Sequence, residues 1–185
     1  MGRTTAICFL LVLLGAAVLA RAAEAEQIIG TKPPEWQLEH WLNSRSLKLP
    51  DLRGQVVLIR WWTAPDCHYC QASAPALNEF HHAYRQKGLR VIGVYHHKSS
   101  TPLEVKSVAR HANRLGFKFP VAIDTDWRTL KRWWLDQGDM GWTSVTFLLD
   151  RQGVIRHLHP GGQYVKGDKA YAALTAKIEE LLAEK

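Results

Sequence analysis

The apolar run Val56-Val57-Leu58-Ile59-Arg60-Trp61-Trp62, followed by Cys67-His68-Tyr69-Cys70 and then by a helical pattern, constrains this chain more than any other stretch. Consecutive β-branched and apolar residues suit a strand buried on both faces, as at the centre of a parallel sheet. Two thiols spaced i, i+3 at the start of a helix can close a small disulfide ring. The first thiol sits where unpaired backbone N–H groups and the helix dipole favour a thiolate. That arrangement suits thiol–disulfide exchange. A structural staple is the plain alternative, but a bridge over two intervening residues closes almost no loop and adds little through the unfolded state.

The chain has 185 residues and three cysteines, Cys8, Cys67 and Cys70. Cys8 lies in an apolar stretch, residues 6–20, that follows Arg3 and precedes two small-x-small sites, Ala20-Arg21-Ala22 and Ala23-Glu24-Ala25. The apolar run is short for a bilayer span, so residues 1–23 read as a cleaved secretory signal peptide. An uncleaved N-terminal anchor is the alternative, and the only route by which a membrane would be involved. Cys8 comes too early to be a lipoprotein cysteine. Removing the signal removes Arg3 and Arg21, which leaves 22 basic residues against 17 acidic ones. These charges are scattered, without a basic run, and read as a solvated surface that excludes a nucleic-acid partner. The remaining length, about 160 residues, suffices for one domain with its own core.

Along the chain, residues 24–44 read as an N-terminal leader and 45–185 as the folded domain. Pro33-Pro34 is a stiff break in an extended stretch, 24–35. Short edge strands are expected at 36–38 and 47–49, with a turn at Pro50-Asp51-Leu52-Arg53-Gly54. A helix is expected over 67–87, bent at Pro75 and closed by Gly88 as a left-handed cap. A second buried strand covers 90–95. Ser100 or Thr101 would cap a helix running from Pro102 to about Gly116. A short strand at 121–124 and a helix at 127–135 capped by Asp126 follow. Residues 145–149 and 154–158 form a hairpin, and 170–184 an amphipathic helix. This order gives an α/β sandwich with a mixed sheet.

These residues resemble the thioredoxin-like superfamily, specifically the exported TlpA/ResA-like disulfide reductases, over residues 45–184. The resemblance rests on Val56–Trp62 leading into Cys67-His68-Tyr69-Cys70, on Pro75, and on Phe147-Leu148-Leu149-Asp150 with the hairpin after it. It implies a thioredoxin-like α/β/α sandwich with a central mixed β-sheet. It implies Cys67 as the attacking thiol and Cys70 as the buried resolving thiol, acting without a cofactor on protein dithiol/disulfide partners. It further implies a periplasmic or otherwise exported location, a membrane electron donor, and a role in cytochrome c maturation or thiol supply.

Three positions depart from that family. Ser144, in Thr143-Ser144-Val145, stands where relatives carry a cis-proline, and a cis bond before serine would cost about 3–4 kcal/mol, so a trans bond and a reshaped substrate loop are expected. Asp66 stands where a tryptophan is usual before the first cysteine, and the link from Trp62 to Cys67 is one residue longer. Arg60 replaces a polar or acidic strand residue, leaving no evident carboxylate to take the proton of Cys70.

The helix N-terminus and a protonated His68 would lower the Cys67 pKa, whereas an inward Asp66 carboxylate would raise it. Tyr69 either shapes the substrate groove or packs on the helix. Trp62 packs beneath the site, and Arg60 is a paired or snorkelling residue or tunes the thiols. His96, His97, His157 and His159 are ends of strands, and His81-His82 lie exposed on the long helix. With two thiolates, one such histidine would make a copper-handling metallochaperone, the alternative function; the leading reading has no metal. A peroxiredoxin-like peroxidase ranks low, because the proline and the Thr or Ser that it needs are here Arg60 and Ala64.

Overall fold

In the computed structural model, which describes residues 27–138 and 140–184, strand β2 (Val56–Trp62) is buried at all seven positions. The signal segment expected over 1–23 lies outside the described residues. β2 lies between β3 (Leu89–Tyr95), to which it is parallel, and β5 (Thr146–Leu149), to which it is antiparallel. β1 (Glu39–Leu42) and β6 (Ile155–His159) close the two edges, and β4 (Val121–Ile123) pairs parallel to β3. The six-stranded mixed sheet has the order β1-β4-β3-β2-β5-β6. Four helices cover it: α1 (His68–Tyr84), α2 (Val105–Arg114), α3 (Arg128–Trp133) and α4 (Lys169–Ala183).

Strand alternation divides β2 between two cores. Val56, Leu58 and Trp62 face α1, α2 and α4, in a cluster with Cys70, Leu77, Phe80, Val108, Leu174 and Ile178. Val57, Ile59 and Trp61 face α3, in a cluster with Leu130, Trp133, Trp134 and Phe147. This is the expected thioredoxin-like α/β/α sandwich.

Local signals set several boundaries. Gly88 adopts a left-handed conformation at φ 102° after the turn of 3-10 helix that ends the long helix, as its position predicts. Pro75 lies inside α1. Asp168 caps α4 by accepting from Tyr171 N–H at 2.6 Å.

Elsewhere tertiary contacts override local pattern. The segment 27–44, expected as a leader outside the domain, is built into it. Ile28 and Trp36 are buried, the Trp36 ring stacks on Trp133 with centroids 6.2 Å apart, and β1 pairs with β4. The edge strands expected at 36–38 and 47–49 are replaced by β1 and by a 3-10 turn over Leu49–Leu52. α2 starts at Val105 rather than Pro102. Ser99 and Thr101 hydroxyls bond to each other at 2.9 Å instead of capping it. α3 is not capped by Asp126. Its free N–H groups at Thr129 and Leu130 donate instead to the buried carboxylate of Asp124, at 3.1 and 2.7 Å. Trp61 Nε1 donates to the same carboxylate at 3.3 Å. One carboxylate thus ties the central strand to α3. Replacing Asp124 by Ala strands three buried donors and should cost about 3 kcal/mol in urea unfolding, with Asp124→Asn losing less.

Candidate active site

At the end of β2 the chain leaves the sheet through Thr63–Asp66 and turns into α1. Cys67 occupies the N-cap of that helix. The disulfide Cys67–Cys70 is formed, with Cα atoms 5.2 Å apart. The two sulfurs are not equivalent. Cys70 lies one turn inside the helix and is 2% exposed, within the core cluster, whereas Cys67 is half-buried at the rim. The Cys70 N–H donates to Cys67 Sγ at 3.1 Å. Together with the helix dipole, that N–H favours charge on the outer sulfur once the bond is reduced.

Three loops and a helix border this sulfur. They are the loop after β2, Lys98 to Thr101 after β3, Gly141 to Ser144 before β5, and Ser107 and His111 of α2. Together with Cys67, His68 and Tyr69 they line a cleft of about 970 Å³. Thr143 and Ser144, expected as a substrate loop, line this cleft together with Cys67. The Thr143–Ser144 bond is trans, the one cis bond among the described residues being Ala64–Pro65. Val145 C=O accepts from Trp61 N–H at 2.9 Å and fixes the end of this loop to β2.

The remaining predicted residues sort by position. Asp66 and His68 are exposed beside Cys67, and Asp66 turns to solvent rather than capping the helix. Tyr69 is 41% exposed and meets Trp142, 51% exposed, edge to face at 5.4 Å. Trp142 is a residue that sequence reasoning missed, although it directly precedes Thr143. Its position is enforced from behind by Gly161, where any Cβ would collide with the Trp142 side chain. Trp62 is buried beneath the site, edge-on to Tyr95 and Phe117.

Among the described residues Arg60 has no carboxylate partner, and its side chain does not snorkel to solvent. It is fully buried. Its Nη1 donates to Thr146 Oγ1 at 3.1 Å and its Nη2 to Gly162 C=O at 2.7 Å, and the guanidinium lies 5.1 Å from the Tyr164 ring centroid.

None of the four strand-end histidines lines the cleft at Cys67. His96 is fully buried on the α3 side of the sheet, edge-on to Trp127 at 4.9 Å, with neither ring nitrogen partnered. His97 bonds Tyr95 OH through Nδ1 at 3.1 Å and Thr101 C=O through Nε2 at 2.6 Å. His157 and His159 are half-buried on β6, and the His159 ring lies 5.3 Å from Tyr164. His81 is half-buried against Phe119 rather than exposed, while His82 is exposed. Among the described residues, no three His, Cys, Asp or Glu side chains come together in a set able to hold a metal ion. The metallochaperone reading finds no ligand set.

A model of the AhpC/TSA family matches residues 29–158. The chain is 34% identical over 147 residues to protein DipZ of Mycobacterium tuberculosis; the match takes in 77% of this chain but only 20% of DipZ, so the chain spans about a fifth of that relative. It is 26% identical over 161 residues to the thiol-disulfide oxidoreductase ResA of Geobacillus thermodenitrificans, over 86% of both chains. The solved structure of the thioredoxin-like superfamily protein SPOA0173 superposes with a TM-score of 0.67 at 28% identity, over 83% of this chain and 97% of that one.

Burial, with Lys98 adding to it, pushes the His96 pKa down from 6.5 to about 3. The unfolded chain takes up a proton at this histidine below about pH 6.5 and the folded one does not. The stability that His96 supplies is therefore whole above pH 6.5 and is lost as pH falls toward 3. Urea unfolding should show a steeper loss of stability between pH 7 and 4 for the unmodified protein than for His96→Phe. Equal slopes would contradict a buried neutral imidazole.

The asymmetry of the two sulfurs gives a second expectation. In the reduced protein, alkylation should reach Cys67 first. Faster modification of Cys70 would reverse the assignment.

Proposed function

We propose that this chain, which belongs to the AhpC/TSA family, is a thiol–disulfide oxidoreductase that exchanges electrons with protein disulfides. The observation that carries this reading is the Cys67–Cys70 disulfide at a helix N-terminus, with one sulfur on the rim of a cleft and the other in the core. ResA, named as such an oxidoreductase, matches over nearly its full length.

In the reducing direction, the Cys67 thiolate attacks one sulfur of a partner disulfide. A mixed disulfide forms and the partner's other sulfur leaves as a thiolate, which takes a proton from solvent. Cys70, as thiolate, then attacks Cys67 Sγ, closes the ring seen here and expels the second partner thiolate. Two electrons pass from the dithiol to the partner. Oxidation of a partner dithiol is the same path reversed, and the reduction potential against the compartment decides between them. The chain residues do all the chemistry: the Cys70 N–H and the helix N-terminus hold the attacking charge, and the buried position of Cys70 keeps the resolving thiol from outside reagents.

The cleft wall before β5 would hold the partner's extended segment beside Cys67. With a trans bond before Ser144, recognition shifts from that backbone toward the side chains at the rim, Tyr69 and Trp142 among them. A signal peptide over residues 1–23 would send the chain to the periplasm or another exported location, where a membrane donor supplies its electrons and cytochrome c maturation is a fitting outlet. A peroxidase reading has no support at Arg60 and Ala64, where its proline and hydroxyl residue would stand.

The test is turnover of a disulfide-bonded protein substrate with dithiothreitol as electron source, joined to trapping. Cys67→Ser and Cys70→Ser should each abolish turnover, and Cys70→Ser alone should accumulate mixed disulfides with exported proteins. Mixed disulfides on Cys67→Ser, or full turnover without Cys67, would sink the proposal.

A further inference from the structure

Arg60 is the charged side chain that the exchange chemistry above leaves unused, and it is buried without an acidic partner. A cation buried without a counter-charge destabilises the fold, and a protein normally offsets that cost with a carboxylate. Here the guanidinium finds only neutral acceptors: the Thr146 hydroxyl, the Gly162 carbonyl and the face of the Tyr164 ring. Its Nε has no partner. Among the described residues it forms no ion pair.

The position of this cation is specific. By strand alternation Arg60 shares the face of β2 that carries Leu58 and Trp62, the face that α1 covers and that packs with Cys70. Tyr164, stacked on the guanidinium, donates its N–H to Ser73 Oγ at 3.2 Å, and Ser73 Oγ donates to Tyr69 C=O at 2.8 Å. Tyr69 and Ser73 belong to α1, the helix that carries Cys70, and Tyr164 and Cys70 share one core cluster, so the cation is tied through Tyr164 to the helix that holds the inner sulfur.

We propose that Arg60 is a positioning residue for the dithiol, an internal counter-charge that favours the ionised Cys70 sulfur in the reduced protein and so makes the dithiol a weaker reductant. The idea rests on the exchange reaction proposed above. In the disulfide state both sulfurs are neutral and the cation has no anion to meet. On reduction the ring gains two electrons and up to two protons. A thiolate at Cys70 supplies the missing negative charge, so the reduced state gains an interaction that the oxidised state lacks. In a low-dielectric interior this attraction is worth far more than at the surface. It also answers a chemical need. The resolving step requires Cys70 as a thiolate, and among the described residues the buried carboxylates, Asp124 and Asp150, are engaged elsewhere, by Thr129 and Leu130 and by Val154 and Arg156. A cation lowers the barrier to releasing that proton toward the cleft.

The other titratable groups facing Arg60 do not supply that negative charge. His159 and Tyr164 lie on the β6 side and His96 on the far face of the sheet. Burial and the cation itself hold both imidazoles neutral, and burial holds the Tyr164 phenol protonated.

The test compares Arg60→Met, which keeps length and loses charge, with Arg60→Lys, which keeps charge. Equilibration with glutathione buffers should shift tenfold or more toward a stronger reductant in Arg60→Met, about 30 mV for a two-electron couple, and Arg60→Lys should restore most of it. In the Cys67→Ser background, thiolate absorbance should show Cys70 titrating below the ordinary cysteine value of about 8.5, although burial alone would raise it. Adding Arg60→Met should move that midpoint up by a unit or more. Unchanged potential and midpoint in a folded Arg60→Met protein would make Arg60 a packing residue only. Should Arg60→Met fail to fold, a Cys70 midpoint above 8.5 with Arg60 intact overturns the proposal, and one below it, unaltered in Arg60→Lys, supports it. Both readouts need only the disulfide, so an absence of turnover on protein substrates would count against the oxidoreductase function and not against this role.

Discussion

The double-sided burial of β2 is the constraint on which the rest of the structure depends. Its seven residues pair with β3 along their whole length and with β5 over four positions. A strand held on both edges and covered on both faces cannot shift register without moving every side chain to the wrong core. The chain therefore leaves the sheet at one fixed place, and Cys67 arrives at the N-cap of α1 with little freedom. The reactive geometry is inherited from the sheet rather than built by the loop that carries it.

From that one placement the two sulfurs acquire different environments. The helix N-terminus and the Cys70 N–H act on the outer sulfur, and the core acts on the inner one. The cleft over them is bordered by α2 and by loops that each follow or precede a central strand, so its walls are anchored even though its rim is open. The exposed Tyr69 and Trp142 side chains meet edge to face on that rim.

Much of this was legible in the sequence where the signal is local. β2 is a continuous apolar run, the CxxC pair opens a helical pattern, Gly88 stops it, and the hairpin shows its turn residues. What escaped was non-local. Asp124 caps α3 from the end of the preceding strand, whereas local reasoning looked to Asp126 next to the helix. Thr101 has the chemistry of a cap but spends its hydroxyl on that of Ser99. Trp36 looks like part of a loose leader until Trp133, distant in sequence, stacks on it. His96 has the look of a strand-end ligand, yet alternation turns it to the face opposite the thiols. Arg60 invited an acidic partner or a path to solvent and, among the described residues, has neither. Trp142 sits beside a loop already marked as substrate-facing, but nothing in an isolated Gly-Trp-Thr says which way the indole points.

The central claim is that Cys67 and Cys70 form a reversible redox couple rather than a fixed staple. The most direct measurement equilibrates the protein across glutathione buffers and reads the fraction oxidised by mass. The account predicts one two-electron transition within the range of those buffers, with both cysteines changing together and glutathione, where it is caught, attached to Cys67. A disulfide that stays closed across the whole range, as structural bridges with potentials below about −300 mV do, would contradict it.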